Sequence, residues 1–507
     1  MTLLASPTMK KTFAQHSVTM LRRALGYGIL VTLVSLIAIA IYVLNNRADL
    51  HLWHEVDLDE EFTTKSEVDD FSGYLALEER LFDQLETEVY AKLPPGDAQT
   101  INRYQKGSMM DPTSMQTNWN RTFQLPHETP TAGVLLLHGM SDSPYSLRHL
   151  GETYHQQGAS VIGLRIPGHG TAPSGLIETT WKDMSAAVRL AATHLQEQVG
   201  DQPIYLVGYS NGGALAVMYA IESLEDDSLP RPEAMVLLSP EIGVSKAAAL
   251  AVWQGRVGHW LGLDKLAWNS ISMEYDPFKY GSFAVNAGDQ AHRITAEIDK
   301  RLGKMSAAGE LEDFPRTLVF QSAVDATVSV PALISRLFSR LPPSGHQLVL
   351  FDINRVELIE HLLKTDPADQ LADLLKGADH PFTLSVISNT TANDGPTSLV
   401  QITHRQSGQS TTSIEPTDLS WPDDTFSLSH VALPFPEDDG LYGSGDGGKT
   451  PTLGNRALRG ERGTLLISPS EMLRQKWNPF YSWLEQKSLS FTGFVPDETG
   501  APAAAPE

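Results

Sequence analysis

The fold is decided by the stretch Gly208-Tyr209-Ser210-Asn211-Gly212, which has the pattern G-x-S-x-G. Residues 203–207 are apolar, with β-branched and aromatic side chains typical of a buried strand, and residues 213–220 favour a helix. A turn this sharp strains its central residue, and the flanking glycines let the strand and the helix approach closely. The sequence therefore predicts that the Ser210 hydroxyl projects from the end of a sheet, where it can attack a carbonyl carbon.

The segments around this stretch alternate between short apolar runs and amphipathic runs. Because the predicted strands are apolar throughout, they indicate a mostly parallel sheet that helices cover on both faces. The predicted fold class is therefore α/β. The predicted strands are 134–137, 161–164, 203–207, 234–238 and 317–320, and the predicted helices between them are 146–156 and 180–199.

Other segments depart from this alternation. Residues 71–93 have helical apolar spacing and end at Pro94-Pro95-Gly96. Residues 241–314 are rich in aromatic side chains, and residues 353–425 are less regular. A further strand is predicted at 346–351, and the final strand could instead be 399–403.

Composition excludes several classes of function. Lys and Arg number 38 against 61 Asp and Glu, a formal net charge of −23, so we expect no nucleic-acid partner. The chain has no cysteine, which excludes disulfides, zinc–thiolate sites and a cysteine nucleophile. His51 and His54, near Glu55, are too sparse for a metal site, and we expect no metal and no cofactor.

Residues 24–44 form an uncharged, mostly apolar run of 21 residues. As a helix it would extend about 31 Å, which predicts one transmembrane helix. Basic residues precede the run and acidic residues follow it, so the positive-inside rule puts the tail 1–23 in the cytoplasm and the rest of the chain on the non-cytoplasmic side. Two alternatives are a cleaved signal peptide, given Ala38-Ile39-Ala40, and a buried soluble helix.

A serine nucleophile needs a base, an acid that orients the base, and donors for the developing oxyanion. We predict that the donors are the backbone N–H groups of Asn211, after the nucleophile, and Met140, in the loop after an earlier strand. We choose Asp325 as the acid because it follows a predicted strand, at the edge where active sites of open α/β sheets lie. A solvated loop aspartate is the alternative reading.

Five histidines follow Asp325 in the sequence. His346 begins a strand, His361 falls within a helix and His404 lies in an alternating stretch. The two loop candidates for the base are His430, before the last helix, and His380. We choose His430.

Taken together, these motifs resemble the α/β-hydrolase superfamily, of the carboxylesterase and monoacylglycerol-lipase type. The order Ser, Asp, His is the family's order, and the resemblance covers about residues 129–490. The matching pieces are Leu135-Leu136-Leu137-His138-Gly139-Met140, Ser141-Asp142-Ser143-Pro144, Pro167-Gly168-His169-Gly170-Thr171, Gly208-Tyr209-Ser210-Asn211-Gly212, Asp325 and Ser429-His430-Val431.

The resemblance implies an α/β-hydrolase domain at 129–490, with 241–314 as a cap and 353–425 as an insertion. It follows a membrane-proximal extension at 45–128 and precedes a disordered tail at 491–507. It also implies a serine hydrolase that cleaves acyl esters or lipids through an acyl-enzyme, with Ser210 as nucleophile, Asp325 and His430 completing the triad, and Met140 and Asn211 forming the oxyanion hole. With the transmembrane helix predicted at 24–44, we expect this hydrolase to be membrane-anchored.

Alternative functions remain open at this point. The same triad could serve a thioesterase, an aminopeptidase or an acyltransferase, and a catalytically silent binding module would keep the fold alone. Residues 443–450 match the phosphate-loop pattern G-x-x-x-x-G-K-T. We discount nucleotide binding because prolines precede and follow that match, where a true phosphate loop has a strand and a helix.

Overall fold

A computed structural model describes most of the chain after residue 45. The residues described are 20, 22–32, 34–35, 46–97, 99–243, 264–355, 362–364, 366–377, 379–390, 398–445, 453 and 473–496.

A ten-stranded sheet forms the centre of the molecule, with the strand order β1-β3-β2-β4-β5-β8-β9-β10-β11-β12. The strands are β1 Phe123–Leu125, β2 Ala132–Leu137, β3 Ala159–Leu164, β4 Ile204–Tyr209, β5 Ala234–Leu238, β8 Arg316–Ser322, β9 Gln347–Phe351, β10 Thr383–Asn389, β11 Leu399–Arg405 and β12 Thr412–Ser420, while β6 Trp268–Ser270 and β7 Phe283–Ala284 pair separately. The seven strands from β3 to β10 are parallel; β1, β11 and β12 pair antiparallel at the two edges. The predicted mostly parallel sheet is confirmed.

Helices lie on both faces of this sheet. Short 3₁₀ turns connect several of them. The α-helices of the described chain include Leu52–Glu55, Phe71–Glu88, Arg148–Gln156, Gly175–Glu178, Trp181–Val199, Asn211–Glu225, Val285–Ala308, Val330–Arg336, Ala368–Lys376 and Tyr481–Phe491.

Two apolar layers bury the two faces of the sheet. Successive residues of β2 belong to different layers: Leu135 and Leu137 pack in one layer, and Val134 and Leu136 pack in the other. This division follows from the two-residue period of a strand, which sends successive side chains to opposite faces. Because both faces are covered, the parallel strands are apolar at every position, as the sequence pattern indicates.

The extension that precedes the sheet, residues 46–122, packs against one of these two apolar layers. Phe71 and Tyr74, on one side of the helix Phe71–Glu88, join the layer that covers the sheet. The Tyr74 hydroxyl donates a hydrogen bond of 2.5 Å to the carbonyl of Arg165. The guanidinium of Arg165 is fully buried and pairs with Glu61 at 2.9 Å and with Glu78 at 3.1 Å. The extension therefore supplies both counter-charges for a cation buried in the following domain.

The structure contradicts the predicted transmembrane helix at 24–44. In the described part of the chain, no helix combines the length and the apolar character that crossing a bilayer requires. The same finding contradicts the predicted single-pass membrane location with a cytoplasmic N-terminus. Residues 33 and 36–44 of the predicted segment lie outside the described residues.

The long separation between β9 and His430 comes from added strands. Residues 353–425 contain β10, β11 and β12, which extend the sheet beyond β9. The sequence indicates the strand at 399–403 but does not indicate β10 or β12. Of the predicted cap, the structure describes 241–243 and 264–314, including the helix Val285–Ala308; residues 244–263 lie outside the described residues, as do 497–507 of the predicted tail.

Candidate active site

Ser210 stands at the turn between β4 and the helix Asn211–Glu225. Its φ of 53° and ψ of −116° lie outside the ordinary L-residue regions. Backbone hydrogen bonds hold this conformation: its N–H donates to Leu238 and its carbonyl accepts from Glu241. Strain that the surroundings fix in this way is typical of functional sites.

Three serines with positive φ lie at the carboxyl ends of neighbouring strands. Ser141 follows β2 with φ 60°, Ser210 follows β4, and Ser239 follows β5 with φ 42°. In the described residues, no other non-glycine position has a positive φ. Within the described chain, the non-glycine residues with positive φ therefore all lie at one end of three adjacent strands.

Gly212 allows the helix after Ser210 to begin directly against β2. A Cβ atom at this position would lie 1.9 Å from the carbonyl oxygen of Leu137 and 2.6 Å from that of His138. Both obstacles are backbone atoms, which a side-chain rearrangement does not relieve. The second glycine of the motif thus brings the N-terminus of the helix to the loop that contains Met140.

The chain reverses its direction of travel across the sheet at this point. From β2 it passes to β3 on one side, and then to β4 on the other side of β2. In open α/β sheets, ligands bind outside the carboxyl ends of the strands at such a switch point. The loop after β2 and Ser210 after β4 flank the crevice that results.

His138 fixes the loop after β2. It is 1% exposed, its Nδ1–H donates 2.9 Å to the carbonyl of Gly139, and its Nε2 accepts 3.0 Å from the N–H of Ile166. Burial, followed by the charges of His169 and Arg165, holds the pKa of His138 well below its usual value. A neutral imidazole with both nitrogens bonded to backbone serves to position the loop.

Met140 lies in the loop after β2, and Asn211 directly follows Ser210. Asn211 is the first residue of its helix, where N–H groups have no intrahelical acceptor. In the part of the chain that is described, neither N–H donates to another protein atom. The arrangement suits two donors for an oxyanion, and the assignment of that role remains a prediction.

His430 and Asp325 meet although the chain separates them widely. Nδ1 of His430 donates a hydrogen bond of 2.8 Å to Oδ2 of Asp325. The other carboxylate oxygen accepts from the N–H groups of Thr327 at 2.7 Å and Val328 at 3.0 Å. With Nδ1 donating, Nε2 of the neutral ring is the nitrogen that can accept a proton.

The Asp325 carboxylate is stabilised in its charged form. Burial raises its pKa, but the hydrogen bond and charge of His430 and the N–H groups of Val328 and Thr327 outweigh burial, so the net pKa lies below the usual value. An ionised carboxylate on Nδ1 favours the tautomer in which Nε2 is free to act as a base.

The other histidines lie elsewhere. His380 precedes β10, at the amino end of the parallel strands, and its Nε2 bonds the carbonyl of Leu374 at 3.0 Å. His346 bonds the N–H of Thr317 at 3.2 Å, and His404 lies between Ser385 and Glu415 on the added strands. His361 lies outside the described residues. Only His430 of the candidate bases in the described chain reaches Asp325.

A cavity of about 460 Å³ opens at the switch point and contains Ser210 and His430 in its lining. Its apolar walls come from the loop after β2, the loop around His430 and the helix Val285–Ala308. The lining side chains and glycines, besides those two residues, are Gly139, Met140, Ser141, Tyr209, Glu241, Asn269, Lys279, Phe283, Val285, Gly288, Ala291, Ala326, Thr327, Val431 and Arg474.

Three charged residues of this cavity, Glu241, Lys279 and Arg474, are absent from the sequence prediction. Glu241 follows β5, and burial together with the charge of Asp325 raises its pKa to about 7. Its place three residues after an apolar strand is the one signal that could have found it. Lys279 and Arg474 lie in irregular segments, and no sequence pattern marks them as cavity residues.

The comparison with protein families agrees with this geometry. Residues 128–355 match the model of the family described as "Serine aminopeptidase, S33". The matched range begins before β2 and ends after β9, so it contains Ser210 and Asp325 but not His430.

Two curated proteins are similar to parts of the chain. A thermostable monoacylglycerol lipase of Bacillus sp. (strain H-257) is 37% identical over 93 residues, which is 18% of this chain and 36% of that protein. An uncharacterized abhydrolase domain-containing protein of Dictyostelium discoideum is 24% identical over 230 residues, 43% of this chain and 23% of that protein. The chain thus spans about a third of the length of the lipase and about a quarter of the length of the Dictyostelium protein.

Solved structures with a likeness to this chain include lipolytic enzymes. One, from work on the metagenome-derived lipolytic enzymes LipS and LipT, is 20% identical, covers 50% of this chain and 96% of its own, and has a TM-score of 0.36. The monoacylglycerol lipase of Paleococcus ferrophilus is 19% identical, covers 46% of this chain and 88% of its own, and has a TM-score of 0.34.

The strand order with its switch point, the strained serine between β4 and its helix, and the family match over 128–355 agree with one another. The resemblance of this chain to the α/β-hydrolase superfamily, of the carboxylesterase and monoacylglycerol-lipase type, is confirmed.

Proposed function

We propose that the protein is a serine hydrolase that cleaves carboxylic esters, with Ser210, His430 and Asp325 as its catalytic triad. The observation that carries the proposal is the 2.8 Å hydrogen bond between His430 and Asp325 beside a cavity that Ser210 also lines. The likeness to a monoacylglycerol lipase favours an acyl ester or lipid as substrate over a thioester, a peptide bond or acyl transfer to an alcohol.

The first half of the reaction forms an acyl-enzyme. Oγ of Ser210 attacks the ester carbonyl carbon while Nε2 of His430 takes the hydroxyl proton, and Asp325 stabilises the resulting imidazolium. The carbonyl oxygen becomes an oxyanion that accepts hydrogen bonds from the backbone N–H groups of Met140 and Asn211. The C–O bond to the alcohol then breaks, and the imidazolium returns its proton to the leaving oxygen.

The second half repeats these steps with water as the nucleophile. His430 takes a proton from water, the new C–O bond forms at the acyl carbon, and the bond to Oγ of Ser210 breaks as the hydroxyl is reprotonated. The carboxylic acid leaves. Every proton is transferred through Nε2 of His430.

Fluorophosphonate labelling of the full chain tests this function, with hydrolysis of a short-chain nitrophenyl ester measured in parallel. We expect wild type to label and to turn over, and Ser210→Ala and His430→Ala to do neither. Ser335→Ala, at an exposed serine, and His380→Ala, at the alternative base, are matched controls that should label as wild type does. A folded wild type that fails to label would instead support a catalytically silent binding module.

A further inference from the structure

The catalytic cavity contains two cationic side chains, Lys279 and Arg474. They are conspicuous because the chain as a whole carries a formal net charge of −23. The only carboxylate among the lining residues is Glu241. The triad described above does not use either cation.

Lys279 is held beside the loop that contains Met140. The next residue, Tyr280, donates its backbone N–H 2.8 Å to the carbonyl of Ser141. The Lys279 side chain is 27% exposed, and its Nζ lies 3.9 Å from Oδ2 of Asp142, too far for a hydrogen bond. That carboxylate oxygen is itself buried with no hydrogen-bond partner. Among the described residues, the Lys279 ammonium group therefore makes no hydrogen bond and pairs with Asp142 through charge alone.

Arg474 is held beside the loop that contains His430. The carbonyl of the adjacent Gln475 accepts a hydrogen bond from the Ser429 hydroxyl. Arg474 is half-buried, and in the described residues its guanidinium makes no hydrogen bond and no ion pair. Arg474 lines the same cavity as Tyr209, the residue before the nucleophile.

Burial raises the pKa of two carboxyl groups near these cations. Burial raises the pKa of Asp142 to about 6, against the opposing charge of Lys279. Burial and the charge of Asp325 raise the pKa of Glu241 to about 7. Near neutral pH a substantial fraction of Glu241, the carboxyl group in the cavity lining, is therefore uncharged.

We propose that the cavity selects esters that carry an anionic group, a carboxylate or a phosphate, which Lys279 and Arg474 bind while the ester carbonyl lies at Ser210. This inference rests on the proposed serine-hydrolase function and names the substrate class of the same site. Guanidinium and ammonium groups are the side-chain groups that bind carboxylate and phosphate oxygens. One charge-assisted hydrogen bond in a partly buried cavity can favour an anionic ester over a neutral one by about tenfold or more.

The test compares paired esters that differ only in the anion. The carboxylate pair is nitrophenyl hexanoate and the nitrophenyl monoester of adipic acid; the phosphate pair is a monoacylglycerol and the acylglycerol phosphate with the same acyl chain. For each pair we measure the ratio of kcat/KM, anionic over neutral, in wild type, Lys279→Gln and Arg474→Gln. Lys304→Gln, at an exposed lysine on the helix Val285–Ala308, removes one positive charge outside the cavity and is the matched control.

We expect a ratio above one for at least one pair in wild type, and the pair that shows it identifies the anion. Each cavity variant should lower that ratio about tenfold, mainly through KM, and Lys304→Gln should keep it. Raising the ionic strength should lower it as well. A merely structural role of Lys279 would lower kcat for both members of a pair and leave the ratio unchanged.

Two results would overturn the inference while leaving the proposed function intact. One is a wild type that hydrolyses neutral esters as well as or better than both anionic ones. The other is an anionic preference that survives in both cavity variants. Failure of the proposed function itself is distinguishable, because Ser210→Ala would then retain hydrolysis of the neutral ester.

Discussion

His430 and Asp325 are 105 positions apart in the chain, yet Nδ1 of the histidine lies 2.8 Å from Oδ2 of the aspartate. Asp325 follows β8 in the centre of the sheet, whereas His430 follows three strands that extend the sheet at one edge. The chain returns from that edge to the switch point before the last helix. The hydrogen bond therefore depends on how residues 421–430 cross the ends of the strands.

Asp325→Asn should lower kcat for ester hydrolysis by about 10⁴-fold with little loss of folded protein. An amide at this place cannot hold His430 in the tautomer that leaves Nε2 basic. Steady-state kinetics with a nitrophenyl ester and far-ultraviolet circular dichroism measure the two effects. Asp201→Asn, at an exposed aspartate, is the control and should retain wild-type kinetics; a similar loss there, or near-normal kcat in Asp325→Asn, would remove Asp325 from the triad.

Glu241→Gln should remove a pH dependence of stability. The folded protein raises the pKa of Glu241 from its ordinary 4.5 to about 7, so it binds the proton more tightly than the unfolded chain does. The stabilisation is complete below pH 4.5 and is lost as the pH rises to about 7. Thermal unfolding from pH 5 to pH 8 should therefore show that the stability of the glutamine variant increases relative to that of wild type as the pH rises. Parallel curves would contradict the raised pKa.

Glu78→Ala should destabilise the protein by about 3 kcal/mol, because it leaves the buried Arg165 short of a counter-charge. Glu78 is 4% exposed and also accepts the N–H of Thr122 at 2.9 Å. Its neighbour Glu79 pairs with Arg121 on the surface, where its side chain is 64% exposed. Urea unfolding of Glu79→Ala should show a loss below about 1 kcal/mol. Equal losses of stability in the two variants would mean that the buried pair of Glu78 with Arg165 contributes no more to stability than the surface pair of Glu79 with Arg121 does.

Gly212→Ala should abolish ester hydrolysis and destabilise the protein by about 3 kcal/mol, since the added methyl group meets the backbone of β2. The control is Gly303→Ala, within the helix Val285–Ala308, where the nearest atom to a new Cβ belongs to the Arg340 side chain at 3.7 Å. There alanine should raise stability by about 0.5–1 kcal/mol. Unfolding curves and initial rates measure both; an active, stable Gly212→Ala protein would show that the close approach is dispensable.

The central sheet could be predicted because each strand is marked locally. An apolar run such as β2 or β5 has no competing helical interpretation at that length, and the glycines around Ser210 mark the sharp turn at which that serine is strained. The added strands could not be predicted in the same way. β12 is polar and exposed at most of its positions and includes Pro416, so its pairing with β11 depends on the neighbouring strand rather than on its own residues.

The triad residues could be chosen from chain order and loop position, and they remain predictions that kinetics must test. The charged residues of the cavity could not be chosen. Lys279 and Arg474 reach the cavity because Tyr280 bonds Ser141 and Gln475 bonds Ser429, contacts between segments that are far apart in sequence. The prediction of a transmembrane helix was wrong for a different reason. An apolar run shows only how long a helix could be, and the described structure contains no helix that is long and apolar enough to cross a membrane.

The outermost strand has a consequence for self-association. A sheet that ended at a parallel apolar strand such as β9 would offer a long row of unpaired amides and carbonyls to any second chain. Here β10, β11 and β12 cover that row, and the new border contains Pro416, which has no amide proton to donate. The added chain length between Asp325 and His430 thus places a polar strand, in place of an apolar one, at the border of the sheet remote from the switch point.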